Sequence, residues 1–427
     1  MIAIPRHQKD RLTIGINCIQ YSGFAVKLAR ERPNSAFRDT VFIARTILFM
    51  LTVTMMYAQQ PGQAAKDFRG KYWVYVGTAA YDGPPSTKLY VCSFDAKSGA
   101  LKLEGVAAET ENPGFLAVRP DQQFLYATSE VGEFQGQKTG GINAFRIDKA
   151  TGKLHLLNKV PSFGANPAYI TADRTGRFVV VASYYGGTMT VPVGADGSLG
   201  KPAAEVKESG VGVNPKRQES SHPHSAVLSP DNRFVIAVDL GLDKLFIYRF
   251  DQDTGSLTAN APAFAQAPSG SGPRHMAFSP DQQFAYVVNE LDSTISTYQF
   301  EMRAGTLRLL QTISTLPTGF RSQNTAAEVQ VAPSGRFVYV SNRGHDSIGI
   351  FSVDRQDGKL TLLQNVSAQG KTPRNFVIDP TGQFMLVANQ DSGEIVGFRV
   401  DANTGRLTPT GTTISITAPV CIVFVAR

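Results

Sequence analysis

Cysteine is scarce in this 427-residue chain, and three residues cannot form a disulfide framework. Charged residues are also few, at 18%, whereas glycine (39) and proline (24) are frequent, which indicates many turns and few long solvent-exposed helices. Hydrophobic residues make up 42%, as in an ordinary globular protein, so a disordered or fibrous chain is excluded. Two or three domains are the default at this length, unless one repeat architecture takes up the whole chain.

Signature motifs of several enzyme classes are absent as well. There is no G-x-S-x-G nucleophile elbow and no H-E-x-x-H zinc motif, which argues against serine-hydrolase and zincin chemistry. The formal charge of +7 comes mostly from residues 1–58, which hold eight Lys or Arg and three acids. The remainder has a net charge of only +2, so nothing indicates a nucleic-acid-binding surface.

An apolar run at residues 44–57 predicts a signal peptide that is cleaved after Ala58. The run is shorter than the ~20 residues that span a membrane and matches a secretory h-region. Because forty mixed polar residues do not normally precede a signal peptide, we expect translation to start near Val41, which makes residues 1–40 a spurious extension. An uncleaved N-terminal anchor helix is the alternative. The signal predicts a periplasmic or secreted protein without stable membrane insertion, and a cytoplasmic one if the run is not functional.

A short motif recurs six times beyond the signal peptide. Each copy has an apolar run, a turn of the Pro-Asp or Ser-Gly type, a phenylalanine and a β-branched run. The six phenylalanines are Phe124, Phe178, Phe234, Phe284, Phe337 and Phe384. Their spacings of 54, 56, 50, 53 and 47 residues indicate an array or a propeller, with four predicted strands in each unit. Turns that end in Gly99, Gly152 and Gly255 join the third and fourth strands, where glycine supplies a positive φ.

We therefore predict an all-β, seven-bladed β-propeller with four-stranded antiparallel blades over residues 71–427, after a linker at 59–70. The seventh blade combines both termini, since residues 419–425 match a first strand and residues 72–80 a second. This pairing closes the ring and leaves few exposed sheet edges.

Two rare residue types fit this architecture. Cys92 and Cys421 fall in the shared blade with one strand between them, about 10 Å apart and beyond disulfide reach. Trp73 is the only tryptophan, which argues against propellers whose blades are locked by a repeated tryptophan, most quinoprotein dehydrogenases among them.

Polar residues collect where strand one begins and strand two ends. Both positions lie at the same end of an antiparallel blade, and strand one lines the central channel, so these side chains converge on one rim. Four of the five histidines beyond residue 58 belong to this set, and only His155 lies elsewhere. The set is Asn112, Glu130, Asn166, Tyr185, His222, His224, Asp239, Arg274, His275, Asn289, Glu290, Glu328, Asn342, Arg343, His345, Arg374, Asn375, Asn389 and Gln390.

Several of these residues also have a structural interpretation. Asn112 and Asn166 fit the capping of turns between blades, and Glu130 and Glu328 fit either a structural pair with an arginine or a part in catalysis. His222 and His224 have the H-x-H spacing of metal sites, but no cluster of carboxylates accompanies them, so we predict no metal and no cofactor.

Three arginines on one rim repel each other unless an anion compensates them. They are Arg274, Arg343 and Arg374. Glu290 and Glu328 could supply the compensating charge, but a bound carboxylate or phosphate is the sharper interpretation.

Segments 222–251, 272–291, 326–348 and 372–390 closely resemble the lactonase family of seven-bladed propellers. That family includes the propeller-type 6-phosphogluconolactonase and, more distantly, the carboxy-cis,cis-muconate cycloisomerase. The resemblance covers essentially all of residues 70–427. It implies hydrolysis of a sugar lactone, or the related lactone-forming cycloisomerisation, without a required metal.

The resemblance also implies which residues work in the site. A catalytic set of one histidine, two arginines and one glutamate looks like His224, Arg274, Glu290 and Arg343 in this sequence. The substrate-binding candidates are His222, His275, Glu328, Arg374 and Asn375. The expected partner of this monomer is a small anionic or sugar lactone.

The predicted mechanism starts when Glu290 or His224 takes a proton from the attacking water. Arg274 or His275 then stabilises the oxyanion, while Arg343, with Arg374, holds an anionic group of the substrate. An exported protein favours an unphosphorylated lactone, since the phosphorylated one is made in the cytosol. The alternatives are a muconate-type cycloisomerase and a non-catalytic propeller that binds carbohydrate or protein at the same rim.

Overall fold

The computed structural model describes residues 70–81 and 83–427. The predicted extension, the signal peptide and the linker up to residue 69 lie outside the described residues. Within the described ranges, no helix is long and apolar enough to cross a membrane.

The described chain forms 28 strands. They are β1 (Lys71–Thr78), β2 (Lys88–Asp95), β3 (Ala100–Glu109), β4 (Pro113–Val118), β5 (Phe124–Ser129), β6 (Gly141–Ile147), β7 (Leu154–Pro161), β8 (Gly164–Ala172), β9 (Phe178–Gly186), β10 (Thr188–Pro192), β11 (Ala204–Val206), β12 (Pro223–Leu228), β13 (Phe234–Asp239), β14 (Lys244–Phe250), β15 (Leu257–Gln266), β16 (Pro273–Phe278), β17 (Phe284–Asn289), β18 (Thr294–Glu301), β19 (Thr306–Ser314), β20 (Thr325–Val331), β21 (Phe337–Arg343), β22 (Ser347–Val353), β23 (Leu360–Ser367), β24 (Pro373–Ile378), β25 (Phe384–Asn389), β26 (Glu394–Val400), β27 (Leu407–Ser415) and β28 (Pro419–Ala426).

These strands form seven sheets of four antiparallel strands each. From inner to outer strand, the blades are blade 1 (β28, β1, β2, β3), blade 2 (β4 to β7), blade 3 (β8 to β11), blade 4 (β12 to β15), blade 5 (β16 to β19), blade 6 (β20 to β23) and blade 7 (β24 to β27). Neighbouring inner strands contact one another around the ring, and β28 meets β4. The predicted seven-bladed propeller is confirmed.

Blade 1 joins the two ends of the propeller, as predicted. Strand β28 pairs antiparallel with β1, with Trp73 opposite Val425. Cys92 on β2 and Cys421 on β28 are buried free thiols, and β1 lies between their strands. The expectation that these two cysteines form no bridge is therefore confirmed.

An aromatic residue at the same motif position of each blade, phenylalanine in six of them, packs against a turn glycine of the next blade. A Cβ atom on any of these glycines would come within 3.0 Å of the aromatic ring, and all of them have a positive φ, between 65° and 87°. The pairs are Phe124–Gly197, Phe178–Gly255, Phe234–Gly305, Phe284–Gly358, Phe337–Gly405, Phe384–Gly99 and Trp73–Gly152. Trp73 therefore takes the place of the phenylalanine in blade 1, and glycine is required by the left-handed turn and by the ring above it.

Candidate active site

A repeated β-bulge at the rim end of the inner strands positions three of the predicted site residues. In blade 5 the pairing of β16 with β17 skips Arg274. The same irregularity skips His224 in β12 and Arg374 in β24. A bulge re-aims the side chain of its extra residue and is common beside active sites. The sequence marks each bulge only by the proline that precedes it.

Three aromatic side chains from different blades pack together in the channel below this rim. The ring centroids of Phe115 and Tyr169 lie 4.4 Å apart, and His275 stands edge-on to both, at 5.6 Å and 5.3 Å. Phe115 and His275 line a polar cleft on the rim and also an apolar-walled cavity of about 480 Å³. They therefore form the wall between the two spaces.

Glu290 lies just after β17 and is bound by three guanidinium groups. Its Oε2 atom lies 3.0 Å from Arg274 Nε and 2.9 Å from Arg343 Nη2, and its Oε1 atom lies 2.7 Å from Arg217 Nη2. Burial alone would raise the pKa of the Glu290 carboxyl, but Arg343 and Arg274 lower this pKa well below its usual range. Glu290 is therefore an anion that compensates the arginines, as one of the two sequence interpretations holds.

Arg217 was not among the predicted residues. It belongs to the long connection between β11 and β12, outside the repeated strand ends on which the rim prediction depends. Its Nη2 atom also lies 3.4 Å from the hydroxyl of Tyr184. The only hint in the sequence is the spacing of 56 residues between Phe178 and Phe234, the longest of the five.

His275 has both ring nitrogens engaged. Arg274 Nη1 lies 3.2 Å from His275 Nε2, and His275 Nδ1 lies 3.2 Å from Glu328 Oε2, which also accepts from Asn375 Nδ2 at 2.5 Å. Because a guanidinium only donates, Nε2 accepts and the ring proton sits on Nδ1. Burial and Arg274 lower the pKa of His275 to about 4, against the opposing effect of Glu328. Glu328 thus pairs with a histidine and not with an arginine.

His224 has an unused ring nitrogen. Its side chain is buried, and Nδ1 makes no hydrogen bond with any described residue. The ring centroid lies 5.3 Å from that of His275. Burial, Arg274 and His275 hold the pKa of His224 well below its usual range. Burial and the neighbouring charges therefore favour the neutral form of the imidazole.

His222 has a different environment from His224. Its ring stacks on Tyr184 at a centroid distance of 4.3 Å, with Nδ1 3.0 Å from the Tyr184 carbonyl oxygen. Nε2 lies 3.0 Å from Glu219 Oε1. Within residues 70–81 and 83–427, no group of three or more His, Cys, Asp or Glu side chains is arranged to hold a metal ion.

A small cleft beside Arg274 contains a second arginine and a second glutamate. Arg374 lies 4.5 Å above the ring of Tyr81 and forms no ion pair with a described carboxylate, and Tyr81 donates to Glu130 Oε2 at 2.8 Å. Burial raises the pKa of Glu130, although Arg374 and Tyr81 oppose it. Arg274 also lines this cleft, and its Nη2 atom makes no hydrogen bond with the described chain.

Other rim residues have structural roles. Asn112 Oδ1 accepts from the backbone of Ser86 at 2.7 Å and of Ala80 at 3.2 Å, which confirms its predicted capping role. Asp239 binds the backbone N–H of residue 222, and His345 binds Ser347 Oγ at 2.7 Å. These side chains stabilise strand ends and do not join the cluster around Glu290.

Comparison with known proteins identifies the family. A family model described as lactonase, 7-bladed beta-propeller, matches residues 73–424. The chain belongs to this family. It is 38% identical over 355 residues to a 6-phosphogluconolactonase of Bacillus subtilis, which covers 83% of this chain and 98% of that protein. A 6-phosphogluconolactonase of Formosa agariphila is 36% identical over 313 residues, covering 72% of this chain and 86% of its own.

A solved structure of similar fold is the periplasmic gluconolactonase of Pseudomonas aeruginosa. It is 36% identical, has a TM-score of 0.78, and the match covers 83% of this chain and 99% of that one. The predicted family and the prediction of a lactonase-type enzyme are both confirmed. The roles of individual residues stay predictions.

Proposed function

We propose that this member of the lactonase family hydrolyses a sugar lactone at the rim of its channel, by acid–base catalysis in carbohydrate metabolism. The proposal rests on His224. Its imidazole is buried and neutral, and its Nδ1 atom has no hydrogen-bond partner among the described residues. It lies close to the arginine-rich cluster around Glu290. The names of the relatives, 6-phosphogluconolactonase and gluconolactonase, support an aldonolactone as the substrate.

His224 is a better general base than Glu290. Both carboxylate oxygens of Glu290 already accept charged hydrogen bonds from guanidinium groups, which leaves them poorly placed to take a proton from water. The Nδ1 atom of His224 has no such partner. We therefore assign to His224 the proton taken from the attacking water, and to Glu290 the task of holding Arg274 and Arg343 in place.

The oxyanion that forms on the lactone carbonyl needs donors that do not have to reorganise. Arg274 and Arg374 both line the cleft, and they supply guanidinium donors there. His275 cannot share this role, since its only ring proton is donated to Glu328. The same arginines compensate the carboxylate of the product.

Ring opening also requires a proton on the leaving alkoxide oxygen. Glu130 lines the cleft and has a raised pKa, which favours its protonated form. We assign it as the general acid, with Tyr81 as the residue that orients its carboxyl group. The sequence alone places Glu130 on the rim, where it fits either a structural pair with an arginine or a part in catalysis.

The proposed setting is the periplasm or the extracellular space. The apolar run at residues 44–57 supports export, and the similar gluconolactonase of Pseudomonas aeruginosa is named as periplasmic. We further propose that the protein acts as a monomer on a small lactone.

A pH-stat assay with gluconolactone, 6-phosphogluconolactone and muconolactone tests the function. We expect proton release above the spontaneous rate with at least one of the two sugar lactones. Arg274→Ala should lower kcat by about 10²–10³-fold. Arg303→Ala, which removes an exposed arginine of an outer turn, is the matched control and should leave kcat unchanged. No turnover of any of the three would favour a binding module, and turnover of muconolactone alone would favour the cycloisomerase.

A further inference from the structure

Arg217 contacts the Glu290 carboxylate from outside the blade strands. Its Nη2 atom donates to Glu290 Oε1 at 2.7 Å, and among the described residues this oxygen has no other hydrogen-bond partner. Arg274 and Arg343 both donate to the other oxygen, Oε2. A carboxylate held through one oxygen can still turn about that contact, whereas a bond to its second oxygen fixes its plane. The contact of Arg217 therefore restricts the orientation of the carboxylate that the two rim arginines share.

The loop that carries Arg217 is anchored to the same segment of backbone as Glu290. The next residue, Gln218, is fully buried, and its Nε2 atom donates to Asp243 Oδ1 at 2.8 Å. This oxygen also accepts from the backbone N–H of Gly272 at 2.8 Å. The carbonyl oxygen of Gly272 accepts in turn from the backbone N–H of Glu290 at 2.7 Å. Asp243 thus joins the two segments, so Arg217 and Glu290 are held near each other before a substrate binds.

The Arg217 guanidinium also reaches the wall of the site that contains His224. Its Nη2 atom lies 3.4 Å from the hydroxyl of Tyr184. The Tyr184 ring stacks on His222 at a centroid distance of 4.3 Å and stands edge-on to His224 at 5.9 Å. Arg217 therefore lies between two parts of the site, the arginine cluster around Glu290 and the imidazole assigned as general base.

We propose that Arg217 is a positioning residue for catalysis, which fixes the Glu290 carboxylate so that Arg274 presents its donors to the oxyanion. The inference rests on the proposed lactone hydrolysis and adds to it a residue from outside the repeat. Donors to a transition state lose much of their effect when they are displaced by less than about 1 Å. Because the Arg217 side chain is 40% exposed, its ion pair contributes little to folding, and its effect should appear in turnover instead.

The test measures kcat and KM of Arg217→Ala and Arg217→Lys on gluconolactone and 6-phosphogluconolactone. Arg217→Ala should lower kcat about 10-fold with KM within about twofold, because the oxyanion forms only after the substrate has bound. Arg217→Lys should recover at least about threefold of this loss, since its ammonium group can still donate to Glu290 Oε1. Lys216→Ala removes an exposed cation of the same loop and is the matched control, so its kcat should equal that of wild type.

A double-mutant cycle tests whether Arg217 acts through Glu290. In a Glu290→Ala background, Arg217→Ala should lower kcat by less than about twofold, because the carboxylate that Arg217 positions is gone. If Glu290→Ala does not fold, the kcat and KM of Arg217→Ala and Arg217→Lys decide the question alone. Calorimetric titration with gluconate gives a readout without turnover. Arg217→Ala should weaken gluconate binding about 3-fold, since Arg274 also compensates the carboxylate of the product.

Four results would overturn the proposal. A raised KM with unchanged kcat in Arg217→Ala would show that Arg217 binds the substrate directly, and kinetics equal to those of wild type would exclude any part in the reaction. A full 10-fold loss in the Glu290→Ala background would show that Arg217 does not act through Glu290. A wild type that neither hydrolyses a lactone nor binds gluconate would contradict both proposals. An inactive wild type whose gluconate binding is weakened by Arg217→Ala only while Glu290 is present would contradict the hydrolysis but support the positioning role.

Discussion

Arg217 reaches from a loop between two blades to within 2.7 Å of Glu290 Oε1, the oxygen that the arginines of the blade strands leave free. Arg274 and Arg343 share the other oxygen, Oε2. One buried carboxylate thus holds three guanidinium groups from three separate segments of the chain. The positions of these three arginines at the rim therefore depend on Glu290.

Removal of Glu290 should destabilise the protein more than removal of Arg217. Glu290→Gln leaves guanidinium groups buried without a counter-charge. The free energy of unfolding should therefore fall by about 3–5 kcal/mol. The Arg217 side chain is 40% exposed, and Glu290 keeps two partners without it, so Arg217→Ala should cost less than about 1 kcal/mol. Urea denaturation of both variants gives the comparison, and equal losses would contradict it.

His224→Asn should lower kcat by about 10²–10⁴-fold if His224 is the general base. Because burial and two neighbouring groups depress the pKa of His224, its neutral form persists below pH 6.5. The acidic limb of the pH profile of kcat/KM, which reports protonation of His224, should therefore lie below pH 6.5. His155→Ala removes an exposed histidine of β7 and serves as the control. A profile that inflects at pH 6.5 would argue against this assignment.

His275 should make the stability of the fold pH-dependent. Its pKa is about 4 in the folded protein, against about 6.5 in an unfolded chain, so the unfolded state binds the proton first as the pH falls. The free energy of unfolding should be highest above pH 6.5. It should lose on the order of 3 kcal/mol between pH 6.5 and pH 4 through this group. Denaturation curves of wild type and His275→Asn should diverge in that window, and parallel curves would disprove the effect.

A glycine at the joint between blades should not tolerate a methyl group. In Gly358→Ala the Cβ atom would lie 2.4 Å from the Phe284 ring, at a φ of +70°. Overpacking and backbone strain together should cost about 2–4 kcal/mol, seen as a lower Tm. Gly411→Ala has a similar φ of +79° but open space around the added atom, so it reports the backbone cost alone. A Tm as low as that of Gly358→Ala in this control would contradict the packing argument.

The start of the mature chain is a separate prediction. N-terminal sequencing of the protein purified from its native host should begin at Gln59, the residue after the predicted cleavage site. A sequence that begins at Met1 would contradict both the spurious extension and the signal peptide.

The repeated motif was sufficient to predict the propeller. Strand patterning and turn chemistry are local properties, and six copies about 50 residues apart leave few folds that bury every apolar face. The two terminal segments matched the two missing strands of a seventh blade for the same reason. Even the convergence of His224, Arg274, Glu290 and Arg343 followed from the alternating direction of antiparallel strands.

Only the tertiary structure decided which of these residues are available for chemistry. The sequence places both His224 and His275 on the rim without their hydrogen-bond partners. In the structure, the guanidinium of Arg274 and the carboxylate of Glu328 occupy both nitrogens of His275, whereas Nδ1 of His224 makes no hydrogen bond with a described residue. Arg217 comes from a loop outside the repeat, and no periodicity could place it on Glu290. Hydrogen-bond partners and burial set the protonation state of each group, and both depend on contacts between residues that are distant in the chain.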